Sequence, residues 1–91
     1  RDANALLYKY TGLKLPINEL NFWLLGIPAP DKPIKLIQLN QNRLLTKLIQ
    51  DDWQIEYKRY NNVNNTRLPG KIFIENHAFD VRLIMQRWIT Q

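Results

Sequence analysis

From Ile34 to the C-terminus the chain is a succession of short extended segments whose apolar residues fall on both faces. Ile34 and Leu36 oppose Ile37 and Leu39, Ile72 and Ile74 oppose Phe73, and Val81, Leu83 and Met85 oppose Ile84 and Trp88. Side chains alternate along a strand, so an antiparallel sheet wetted on one side should alternate apolar and polar more cleanly. The pattern therefore calls for a sheet covered on both sides, or one whose inner face lines an apolar cavity.

Five strands are expected, in "IKLIQLN", "RLLTKLIQ", "WQIEYKRY", "KIFIEN" and "FDVRLIMQRWIT". Gln41-Asn42 and Asp51-Asp52 read as turns, Asn76-His77 as a link, and "NNVNNTRLPG" (61–70) as a loop of turn-formers. Two helices precede them. "DANALLYKYTG" (2–12) places Ala3, Leu6, Leu7 and Tyr10 on one face, with Asp2 as cap and Gly12 at its end. After Pro16, Asn18 is the expected N-cap of a second helix, which Gly26 closes. That helix carries Leu20, Phe22, Trp23, Leu24 and Leu25, apolar around most of its circumference, and must be covered on nearly every side. Pro28, Pro30 and Pro33 make its exit a stiff, extended connector.

Ninety-one residues make a single small domain, and 45% hydrophobic content with three tryptophans argues for a folded one. The formal charge of +5 suits an acidic partner, an anionic membrane surface or nucleic acid. Neither cysteine nor serine occurs, and His77 is the single histidine. Hydrolase triads and zinc–thiolate sites cannot be assembled from such a set, so neither an enzyme nor a metal site is expected. No apolar run approaches the roughly 20 residues needed to span a bilayer as a helix.

Three blocks, "LKLPINELNFWLLGIPAP", "LIQDDWQIEYKRY" and "LPGKIFIENHAFDVRLIMQRW", occur in an order and with gaps that resemble the C-terminal half of LolB, a family of outer-membrane lipoprotein receptors of Gram-negative bacteria. The resemblance covers nearly all 91 residues, taken as one portion of a single lipoprotein-binding domain. It implies an α+β fold: a curved antiparallel sheet, part of an unclosed half-barrel, with helices packed on the concave face. It further implies that acyl chains of lipoproteins are received from a periplasmic carrier, LolA, and passed to the inner leaflet of the outer membrane. The implied location is the outer membrane, on its periplasmic face, and no cofactor is implied. The family's lipidated cysteine, first strands and protruding apolar loop fall upstream of the matched blocks, so those roles attach to no residue here. Asp51-Asp52 stands where the family usually has Asp-Gly, which points to a different hairpin turn.

On that resemblance the acyl-chain cavity would be walled by Phe22, Trp23, Leu25 and Ile27 from helix and connector, and by Trp53, Ile55, Tyr57, Phe73, Ile84 and Trp88 from the sheet. For each of these residues, plain core packing is the competing explanation. Pattern alone leaves open which strand face is concave, with Leu83 and Met85 as the alternative to Ile84 and Trp88. Lys58 and Arg59, between Tyr57 and Tyr60, read first as a solvated strand edge; if they are functional, headgroups or an acidic face of the carrier are the expected contacts. The rival functional reading is a small basic β domain binding single-stranded nucleic acid through exposed aromatics and cations. The resemblance instead implies no nucleic-acid partner. An uncovered sheet edge and apolar face also predict self-association of a chain of this extent.

Overall fold

The computed structural model describes residues 16–85. The expected helix at 2–12 and Trp88 lie outside the described residues. The first described element is a helix, α1 (Ile17–Trp23). Asn18 does not cap it, contrary to the expectation above. Pro16 takes the N-cap position without a side-chain hydrogen bond, and its carbonyl accepts from Leu20 N–H at 2.8 Å. The helix thus starts two residues earlier, placing Asn18 and Glu19 in its first turn, where the acidic side chain suits the positive end of the dipole. Gly26 closes the helix as expected. Ile27 N–H donates to Phe22 C=O at 3.2 Å and Gly26 N–H to Trp23 C=O at 2.9 Å, with Gly26 at φ 80°. That is the Schellman closure, and its left-handed residue favours glycine.

The proline connector leads into five strands, β1 (Ile34–Leu39), β2 (Leu45–Gln50), β3 (Trp53–Val63), β4 (Thr66–Glu75) and β5 (Asp80–Ile84). They form one antiparallel meander in the order β1-β2-β3-β4-β5. Among the described residues the sheet is unclosed, with β1 and β5 as its edges.

The loop expected over 61–70 is mostly strand. β3 runs to Val63 and β4 begins at Thr66, leaving Asn64-Asn65 as a two-residue turn with φ 51° and 66°. Asparagine tolerates the left-handed region, so the pair builds the type I′ turn that lets the ladder run to its tip. The Asp51-Asp52 hairpin differs: Asp51 takes φ 53° while Asp52 stays outside the positive region.

Two slips in the β3–β4 register, between Tyr57 and Arg59 and between Arg59 and Tyr60, set the sheet's faces. Each places an extra residue in one strand, Lys58 in β3 and Gly70 in β4, and so reverses the alternation. Tyr57 and Tyr60 consequently bring their rings to 6.1 Å although three positions apart. A Cβ at Gly70 would sit 2.5 Å from Nδ2 of the exposed Asn61 side chain, which would have to swing aside.

One sheet face carries the core. Leu48, Ile55, Ile74 and Val81 form one cross-strand row, and Tyr57, Ile72 and Leu83 another. Trp23 of α1 is buried against this face with Trp53, while Leu20 and Leu24 pack alongside. The other face carries the row Lys47, Glu56, Phe73 and Arg82. The two-sided apolar pattern therefore has two explanations: the helix covers one face, and on the other the Phe73 ring lies under Lys58, Lys71 and Arg82 at 5.8, 5.8 and 5.3 Å.

Candidate functional site: an apolar cleft at the helix exit

Three loops converge where α1 ends. The Schellman turn turns Leu25 and Ile27 outward, the β1–β2 hairpin contributes Ile37, Leu39 and Leu44, and the β3–β4 tip contributes Arg67 and Leu68. Between them lies an open cleft of about 550 Å³, within the usual range for small-molecule sites. Its walls are apolar and poorly covered: Leu25 is 45% exposed, Ile27 44%, Ile37 46% and Leu39 53%. Four large aliphatic side chains left nearly half accessible, side by side, form a surface that water wets at a cost.

Hydrogen bonds fix the cleft's frame. Tyr60 lines it, and its hydroxyl donates to Leu45 C=O at 2.7 Å. Burial pushes the Tyr60 phenol up to about 12 from its ordinary 10.0. Gly26 rests on this ring, since a Cβ there would approach the Tyr60 hydroxyl to 3.1 Å. On the other side, Asn40 Oδ1 accepts from Asn42 N–H at 2.8 Å and Leu44 N–H at 3.1 Å, ordering the β1–β2 connection.

Gln50, which the sequence did not single out, ties the helix and the proline connector to the sheet. It is fully buried; its Oε1 accepts from Trp23 Nε1 at 2.8 Å and from Ala29 N–H at 2.9 Å. Its Nε2 donates to Ala29 C=O at 3.0 Å and Lys32 C=O at 2.9 Å. The Tyr57 hydroxyl completes the anchor by donating to Trp23 C=O at 2.6 Å. Desolvation, reinforced by neighbouring Tyr60, drives the Tyr57 phenol far above its ordinary range. A polar residue in register with the apolar face of a strand was the available signal: Gln50 follows Leu48 at spacing two.

The residues expected to wall a cavity divide into three groups. Leu25 and Ile27 line the cleft. Trp23, Trp53, Ile55 and Tyr57 come together behind it as closed core, with the two indoles 6.3 Å apart and Trp53 stacked on Phe79 at 6.1 Å. Phe73 and Ile84 are not brought to either place. Phe73 and Arg82 are cross-strand neighbours, and so are Lys71 and Ile84, on the sheet face away from the helix. Leu83 takes the core side instead. Phe22 is exposed on α1. Lys58 and Arg59 are both exposed beside the register slip, and Lys58 lies 3.8 Å from Glu56. Among the described residues no group of three or more His, Asp or Glu side chains is arranged to hold a metal ion.

A family model described as outer membrane lipoprotein LolB matches residues 1–88. The outer-membrane lipoprotein LolB of Nitrosococcus oceani is 41% identical over 87 residues, covering 96% of this chain and 43% of that protein. That of Pseudomonas aeruginosa is 39% identical over 87 residues, covering 96% of this chain and 42% of its own. The Cellvibrio japonicus protein is 36% identical over 92 residues, covering 97% and 45% respectively. The chain thus spans less than half the length of these curated relatives.

Proposed function

The chain belongs to the LolB family of outer-membrane lipoproteins, and from that premise we propose that it binds the acyl chains of lipoproteins handed over by the periplasmic carrier LolA and passes them to the inner leaflet of the outer membrane. The observation carrying this reading is the open cleft of about 550 Å³ whose walls include Leu25, Ile27, Ile37 and Leu39. Each methylene withdrawn from water onto such walls contributes about 0.8 kcal/mol, and a hydrocarbon chain asks for no hydrogen bond in return. Binding is then a matter of apolar area, so a chain moves down a gradient of affinity without nucleotide or metal. Trp23, Trp53, Ile55 and Tyr57 serve from behind, keeping the turn that presents Leu25 and Ile27 rigid.

Lys58 and Arg59 are assigned to headgroup or carrier contact. They adjoin the cationic cover of Phe73, which gives the helix-free face a positive character suited to an acidic partner surface. Single-stranded nucleic acid is disfavoured as a ligand, because base stacking needs presented rings and Trp23, Trp53 and Tyr57 are buried.

The test is binding of a fluorescent long-chain acyl probe with an uncharged head. Its emission should rise on binding, its affinity should survive high salt, and Leu25→Asp with Ile27→Asp should abolish the signal while the fold is kept. No binding, or binding that falls steeply with salt as counterion release demands, would overturn the proposal.

A further inference from the structure

The cleft is not uniformly apolar. Arg43 and Arg67 line it from two different hairpins, and among the described residues no acidic one does. The described carboxylates that form ion pairs do so elsewhere: Glu19 and Asp51 with Lys32, Glu56 with Lys58, Asp80 with Arg82, and Asp52 with His77. Among the described residues no carboxylate lies within ion-pair distance of either cleft arginine, so two positive charges stand beside aliphatic walls without compensation. A hydrocarbon chain alone has no use for them. A neighbouring low-dielectric surface strengthens the attraction of each for an anion. The guanidinium fork matches phosphate oxygens two at a time.

The backbone that carries both arginines is held by hairpin hydrogen bonds. Arg43 sits at φ 64° in the turn ordered by Asn40, with its N–H donating to Asn40 C=O at 3.0 Å. Arg67 is the second residue of β4, directly after the Asn64-Asn65 turn, and pairs with Asn62 across the ladder. A pair of cations on rigid hairpin ends, at one apolar cleft, describes a site for a molecule with two halves.

We infer that this cleft takes a phospholipid-type amphiphile, its chain on Leu25, Ile27, Leu39 and Leu68 and its phosphate on Arg43 and Arg67. The inference rests on the acyl-binding reading above and extends it to a charged class of ligand. Palmitoyl lysophosphatidylglycerol and uncharged monopalmitoylglycerol carry the same chain, and their affinities are compared by calorimetry below their micellar concentrations. The anionic lipid should bind about tenfold tighter, the scale of a charge-assisted hydrogen-bonded contact. Arg43→Gln with Arg67→Gln should remove that preference and leave the affinity for monopalmitoylglycerol in place. Lys35→Gln with Lys47→Gln, which removes the same charge at positions that do not line the cleft, should leave the preference intact.

Equal affinity of the unaltered protein for both lipids would overturn the inference and leave the acyl-binding reading standing. So would a preference that survives loss of both arginines, or one erased equally by the lysine substitutions. Binding of inorganic phosphate as tightly as the lysophospholipid would also overturn it, since the chain would then contribute nothing. Failure of both lipids to bind would remove the acyl-binding reading itself.

Discussion

Gln50 shows how one polar side chain organises this fold. Two buried donors, Trp23 Nε1 and Ala29 N–H, end on its single Oε1, and two carbonyls accept from its Nε2. Gln50→Leu fills the volume but strands those groups away from water, each at a cost of about 1–3 kcal/mol. Allowing for partial rehydration, a loss of about 3 kcal/mol is expected in urea unfolding, together with a change in Trp23 fluorescence; a loss below about 0.5 kcal/mol would contradict the anchor. The tyrosines set the alkaline limit. Tyr60 titrates near 12 and Tyr57 higher still in the folded chain, against 10.0 for an unperturbed phenol. The unfolded state therefore loses these protons first as pH rises. The stability they contribute is complete below about pH 10 and falls as pH climbs through 12. Unfolding midpoints measured across that window should decline, and Tyr60→Phe should flatten part of the decline.

Two turns carry the geometry at the level of elements. Gly26 at φ 80° closes α1 and lies against Tyr60 and Pro69, with a would-be Cβ 3.1 and 3.2 Å away. Gly26→Ala should cost about 1–2 kcal/mol from left-handed strain alone, and more if Tyr60 must shift. The loss is measurable as a lowered urea midpoint, and weakened acyl-probe binding should accompany it because Leu25 and Ile27 ride on this turn. The Asn64-Asn65 turn offers the opposite sign. Asn65→Gly puts the residue that left-handed backbone prefers at φ 66°, and a gain of about 0.5 kcal/mol is expected from thermal unfolding. The sequence marked these turn residues correctly but assigned ten positions around the asparagines to a loop. Composition reports where a chain is able to turn, whereas the ladder's pairing decides how few residues the turn uses.

At the scale of the described residues the molecule is an open sheet with α1 over its middle and β1 at the rim. Ile34, Ile37 and Leu39 are exposed on that edge strand, whose outer side meets no other strand among the described residues. Such an edge recruits further strands. Concentration-dependent association of the 91-residue chain is expected in sedimentation, and Ile34→Lys with Ile37→Lys should suppress it through charge on the edge. A monomer at all concentrations would show that the edge is protected by other means. This rim borders the cleft proposed to take acyl chains, so on that proposal association and acyl binding should compete, and saturating acyl probe should shift the sedimentation profile toward monomer.

What the sequence determined by itself was the kind of structure: strand periodicity after Pro33, a short helix apolar on most sides, a glycine stop, and blocks specific enough to identify the family. Those properties are local, written in spacing and residue type. Which face each side chain takes was settled by tertiary structure, because the slips at Lys58 and Gly70 reverse an alternation that spacing alone carries forward. Tyr60 consequently joined Tyr57 on the near face, while Phe73, opposite Glu56, and Ile84, opposite Lys71, fall on the far face through the pairing register itself. The cleft likewise exists only through convergence of the helix exit, the β1–β2 hairpin and the β3–β4 tip. Arg43 and Arg67 stand 24 positions apart in the chain, and no pattern read along it relates them. Pairing register brings them to one cleft, and two cations beside apolar walls are a property of that assembly.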